Sequence, residues 1–198
     1  MKIQSLIHKL ENLGGIKPNV INNNKQTFTS EEDSTIMVVQ ENFDEQIPKD
    51  YIQLITKVKA FTFEKSIQIK AIDNVPVSGK DNKIHIDNFF DFSENEASII
   101  NTLKRFKGNL PRQIMPICEG GPGDLIGINL SSENYGKIYY WYHEEEYPDS
   151  LYLIADNLNL FINGLFVKES DDDISTDGVK MTKVTNKFLE RLKKSGKL

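Results

Sequence analysis

The chain has one cysteine, Cys118, and three histidines, His8, His85 and His143, in 198 residues. A single cysteine excludes an internal disulfide and any metal site built from several thiolates. No histidine stands four residues from another, so the paired-histidine helix of zinc proteases is missing. Long apolar runs are missing too, and none approaches the roughly 20 residues that a membrane-spanning helix needs. His8, Lys9 and Glu11 break up the first fifteen residues and no small-residue cleavage site follows, which argues against a secretory leader. Positive charge is in deficit: 24 Lys and Arg face 29 Asp and Glu, a formal net charge of −5. A chain of this sign has no electrostatic reason to seek nucleic acid or an anionic membrane. These absences point to a reduced, cytoplasmic, soluble protein with no cofactor.

What remains is enough for a folded core. Hydrophobic residues make up 38% and charged residues 27%, proportions that suit one globular domain with an N-terminal extension. Ile3, Leu6, Ile7 and Leu10 recur at helical spacing before a Gly14-Gly15 stop. Residues 19–34 are polar and read as a loop, with 25–29 extended, and Ile36 to Val39 is a brief apolar run. Pro48 opens a second helix, with Tyr51, Ile52, Ile55 and Val58 on one face. Residues 61–63, 66–72 and 84–86 read as extended. Ser93 and Glu96 have the spacing of a capping box and predict a third helix ending near Gly108.

From Leu110 to Glu146 three apolar runs are separated by two glycine-bearing turns, the pattern of a β-meander. Ala155, Leu158, Phe161, Ile162 and Leu165 then return to helical spacing. An acidic loop at 169–177 and a basic helix at 183–194 complete the chain. Helices, then clustered strands, then helices predict an α+β fold with a bent antiparallel sheet flanked by helices.

The motifs that suggest chemistry each lack a component. Glu119-Gly120-Gly121-Pro122-Gly123-Asp124 has the glycines of a phosphate loop but not the lysine and hydroxyl residue that must follow them. A strand follows where a dinucleotide loop needs a helix. Gly120, Gly121, Gly123, Asp124 and Gly136 are therefore expected as structural turn residues. The acidic run starting at Asp173 places Val184 where a calcium loop needs a bidentate glutamate. Cys118, at the end of an apolar run, reads as a small buried hydrophobe, and His143 as a packed strand end. No catalytic, cofactor or metal residues are expected.

The order of these pieces resembles the SUKH superfamily over residues 36–166. That group includes the fungal cell-wall-synthesis regulators and many bacterial immunity proteins. The resemblance rests on the helix opened by Ile47-Pro48, the helix leading to Leu110-Pro111, the Gly123-Asp124 turn before a strand, and Gly136-Lys137-Ile138-Tyr139-Tyr140-Trp141-Tyr142-His143. Family members often carry Asn-Gly-Gly after the first domain helix, where this chain has Lys57-Val58-Lys59-Ala60-Phe61. Residues 1–35 would then pack on the domain and 167–198 would belong to the same globule. The resemblance implies a non-enzymatic binding protein whose partner is a cognate toxin; the oligomeric state is left open, with a monomer favoured. The alternative is a regulatory scaffold of the fungal kind. Candidate contacts are Tyr142, Glu144, Glu145, Glu146, Tyr147 and Asp149, where acidic groups and exposed aromatics gather at the end of the last meander strand.

Overall fold

A computed structural model describes residues 3–14, 16–18 and 30–168. Helix α1 (Ile3–Asn12) buries Ile3, Leu6, Ile7 and Leu10, the four residues whose spacing predicts it. Gly14, at φ +109°, follows its end. Strand β1 (Ile16–Pro18) comes next, then helix α2 (Ser30–Gln40). That helix corrects the loop expected over 30–34 and the short apolar run after it, while residues 19–29 of the expected loop lie outside the described residues. Val39 is buried, while Met37 and Val38 face outward, so the four adjacent apolar residues wrap around a helix instead of marking one face. The Gln40 amide closes its end, donating to the Glu45 carbonyl at 2.9 Å and accepting the Ile47 N–H at 2.9 Å.

Helix α3 (Lys49–Val58) has Pro48 as its N-cap residue and buries Tyr51, Leu54 and Ile55. α1 packs against α3. Three short strands follow: β2 (Phe61–Phe63), β3 (Ile67–Lys70) and β4 (Lys83–Ile86). Helix α4 (Ile99–Arg105) is shorter than expected and starts elsewhere. Its cap is Ser98, whose Oγ accepts the Asn101 N–H at 3.3 Å. Ser93 is drawn away by Asp91, a buried carboxylate that takes its N–H at 3.0 Å and its hydroxyl at 2.5 Å. The Ser93 oxygen accepts the Asn95 N–H at 3.4 Å, one residue short of Glu96, so the capping box does not form.

The meander comprises β5 (Ile114–Gly121), β6 (Asp124–Asn129), β7 (Ile138–Trp141) and a further strand, β8 (Leu151–Ala155). They lie in sequence order with every neighbour antiparallel. Register shifts in β5 after Pro116 and Glu119 mark bulges, the device that bends a strand. Helix α5 (Leu158–Gly164) buries Leu158, Phe161 and Ile162, and β9 (Phe166–Val167) joins β3 in a second sheet ordered β4-β3-β9. Phe89 links the parts: it bridges to Phe61 on one side and Cys118 on the other, and its ring stacks on Phe61 with centroids 4.5 Å apart. The α+β architecture with antiparallel sheets and flanking helices is therefore the observed one. The expected acidic loop at 169–177, basic helix at 183–194 and extended piece at 25–29 lie outside the described residues.

The departure at residues 57–61 has a structural counterpart. Lys59 ends α3 at φ 60°, ψ −169°, a backbone region that essentially only glycine occupies without strain. A residue with a Cβ there costs on the order of 1–3 kcal/mol. The Lys59→Gly variant is expected to be more stable by about 1 kcal/mol, because relief of strain exceeds the added freedom of the unfolded chain. Urea unfolding measures this, and a loss of stability would show that the lysine side chain outweighs the strain.

Candidate functional site

The β5–β6 hairpin closes with only Pro122 and Gly123 between its last paired residues, Gly121 and Asp124. Gly123 has φ +87° and needs glycine's backbone freedom. Gly136 serves the same purpose in the β6–β7 connection at φ +79°. Gly120 and Gly121 are a correction: they lie inside β5, not in the turn. Gly120 is required by a ring, since a Cβ there would stand 2.5 Å from Tyr140 Cε2. At Gly121 a Cβ would meet only ordinary contact.

Asp124, the first residue of β6, is no simple turn residue either. Its side chain is 5% exposed, and a carboxylate so placed must be hydrogen-bonded to be tolerable. Oδ2 accepts the Tyr140 hydroxyl at 2.5 Å. Oδ1 accepts the His143 backbone N–H at 3.0 Å and meets His143 Nδ1 at 2.6 Å. Burial, first, and this bond to Asp124, second, push the Tyr140 phenol far above its ordinary range. The His143 ring lies against the turn: a Cβ on Gly123 would be 3.0 Å from Cε1 and 3.1 Å from Nδ1. One carboxylate thus ties the hairpin turn, the core of β7 and the second residue of the β7–β8 connection.

That connection, residues 142–150, carries all six expected contact residues. Its base is closed by the Tyr142 N–H on the Ser150 carbonyl at 2.9 Å and the Ser150 N–H on the Glu146 carbonyl at 3.1 Å. Tyr142 donates its hydroxyl to Glu144, and Tyr152 of β8 donates to Glu145. Glu144, Glu146, Tyr147 and Asp149 are exposed and Glu145 is half-buried. Tyr147 precedes Pro148 through a cis peptide bond and is the most exposed aromatic side chain of the described residues, at 59%. Trp141 is core, packed edge-on to Phe106 with centroids 5.4 Å apart. Three tyrosine hydroxyls therefore each hold one carboxylate: Tyr140 on Asp124, Tyr142 on Glu144 and Tyr152 on Glu145.

Sequence reasoning finds the acidic connection but misses the parts that hold it: His143, the burial of Asp124, and Tyr152. The signal lies in register. Leu125 pairs with Trp141, and continuing the ladder sets Gly123-Asp124 beside Tyr142-His143.

Two other places among the described residues offer chemistry-bearing side chains, and neither is arranged for it. Ser66, His85 and Asp87 line a cleft of about 330 Å³, but His85 stands 3.4 Å from the serine oxygen and 4.0 Å from the aspartate, too loose for a relay. Cys118 is fully buried, and burial raises its thiol well above the ordinary value, which keeps it protonated and unreactive.

The sequence model of the SMI1 / KNR4 family (SUKH-1) matches residues 31–164. The chain belongs to the SMI1/KNR4 family. The match takes in α2 through α5 and leaves α1 outside it. No curated protein matches the chain. Within this SUKH-1 domain, the Gly-Asp turn and the Trp-x-His strand on which the resemblance rests meet through Asp124 and His143. Among the described residues, no helix is long and apolar enough to cross a membrane.

The tyrosine–glutamate bonds have a measurable consequence. The Tyr142 phenol is pushed up to about 12, chiefly by its bond to Glu144, and the Tyr152 phenol to about 12 by its bond to Glu145. Both values are raised, so the stability these bonds add is complete below the free phenol's value of about 10 and is lost as pH rises through about 12. Alkaline titration followed at 295 nm should lose one late-ionising phenol in each of Tyr142→Phe and Tyr152→Phe. Loss from the early-ionising group instead would show that the hydroxyls are free in solution.

Proposed function

We propose that this SUKH-1 domain is an immunity protein that acts by binding, without catalysis. Its partner is a cognate toxin domain, a nuclease or another enzyme that modifies nucleic acid, and the domain occludes that enzyme's active site. The observation that carries the reading is the connection at 142–150. It presents Glu144, Glu145, Glu146 and Asp149 around the exposed Tyr147, on a backbone fixed at both ends. An enzyme that holds a phosphate backbone has a basic site, and a fixed acidic surface matches it in charge and speeds the encounter. Fixing the carboxylates beforehand lowers the entropy lost on docking. Tyr147 supplies the large, stiff side chain that protein interfaces use as an anchor.

Co-expression with the toxin encoded beside its gene tests this. The wild-type chain should restore growth and co-purify with the toxin. A variant carrying Glu144→Lys, Glu146→Lys and Asp149→Lys should associate at least about tenfold more slowly at low salt, with a weaker dependence on ionic strength. Persisting toxicity with no complex formed would reject the pairing, and full protection by the triple variant would move the contact to another surface.

A further inference from the structure

Ile72 is 55% exposed, and the loop that presents it is tightly bonded. That loop, residues 71–82, closes around the side chain of Asn82, which is itself buried. The Asn82 amide group donates to the carbonyls of Ala71 at 2.8 Å and Asp73 at 2.7 Å. Its oxygen accepts the Val75 N–H at 3.2 Å and the Ser78 hydroxyl at 2.9 Å. These bonds fix the backbone on both sides of Ile72. A β-branched side chain on a fixed backbone has little rotamer freedom to lose when it docks. A single exposed apolar residue is ordinary; its placement is what gives Ile72 weight.

Asp73, the next residue, fastens the loop to the edge of β8. Its N–H donates to the Leu153 carbonyl at 2.9 Å, and its carboxylate accepts the Leu153 N–H at 2.8 Å. Both backbone groups that Leu153 turns outward are taken, so the middle of this edge is closed to an added strand. A partner there is met by side chains. Leu151 and Leu153, with Tyr139 paired opposite Leu153, are half-buried, and Ile72 is one residue from the bond that joins loop to strand.

The same edge begins where the acidic connection ends. Asp149 and Ser150 lead into Leu151, whose N–H donates to the Pro148 carbonyl at 3.3 Å. Leu151 to Leu153 spans about 7 Å, well inside the breadth of an interface of about 800 Å² per partner. Burial first, and the charge of Asp73 next, raise the Tyr139 phenol, so the acidic character of the connection continues along the strand.

We propose, as an extension that rests on the toxin reading, that the contact surface continues from 142–150 along the edge of β8 to the loop at 71–77, with Ile72 as its apolar anchor. The partner is then a basic enzyme with an apolar patch beside its active site. The carboxylates set the rate of encounter, and the desolvated aliphatic side chain sets the lifetime of the complex.

Binding of the toxin domain encoded beside the gene, followed by surface plasmon resonance, separates the two parts. Ile72→Ala should dissociate about tenfold faster. Its association rate, the dependence of that rate on ionic strength and the thermal unfolding midpoint of the free chain should stay close to wild type. The variant carrying Glu144→Lys, Glu146→Lys and Asp149→Lys should show the slower association instead. Met37→Ala removes an apolar side chain of α2 that is 67% exposed and should leave both rates unchanged. If the wild-type chain binds the toxin and Ile72→Ala dissociates no faster, the extension is overturned and the toxin reading stands. A wild-type chain that binds no toxin would reject the reading and this surface with it. A dimer of the free chain that Ile72→Glu abolishes would give the loop to a second copy and would also overturn the extension.

Discussion

Asp124 puts a carboxylate where almost no water reaches, and the β7–β8 connection is built around satisfying it. A buried carboxylate without donors costs several kcal/mol, so its three partners cannot be left to chance. The Tyr140 hydroxyl comes from the neighbouring core strand, and the backbone and ring of His143 come from just beyond that strand's end. Two glycines follow from the same constraint. Gly120 leaves room for the Tyr140 ring, and Gly123 leaves room for the His143 ring while making the turn. The glycine-rich loop that looks at first like a phosphate cradle is the negative of two side chains that reach a buried acid.

The consequence for function is rigidity at a surface. The connection after β7 holds four acidic residues within six positions, an arrangement that mutual repulsion alone would spread apart. It stays in place because Asp124 holds one end through His143, and because Tyr142 and Tyr152 each engage one glutamate. Exposed tyrosine–carboxylate bonds of this sort add little stability singly. What they fix is direction, and direction is what a docking surface needs.

Much of the fold is legible in the sequence wherever burial falls on one face. Ile3, Leu6, Ile7 and Leu10 predict α1, and the glycine-separated apolar runs predict β5 to β7. The failures have physical causes. Ile36 to Val39 carries no period, so the last turn of α2 cannot be told from a short strand. Leu151 to Ala155 is apolar on both faces and merges with the helical spacing that follows, which hides β8. Ser93 has the right sequence for a cap but is claimed by Asp91 two residues earlier, whose carboxylate also takes the distant Ala60 N–H at 3.1 Å. The acidic connection is legible because it is a run of one residue type. Its support is not, because Asp124 and His143 are joined by pairing register, and the connection between β6 and β7 leaves that register open until the structure fixes it.

Amide hydrogen exchange of the Asp124→Asn chain tests most directly whether one buried acid organises the β7–β8 connection. The amide substitution keeps the size of the side chain and removes the charge that binds three donors. Exchange should quicken across residues 142–150 while the protection of β5 and β6 away from the turn stays close to that of the wild type. Unchanged protection at 142–150 would contradict the account and show that the connection is held by the meander's backbone pairing alone.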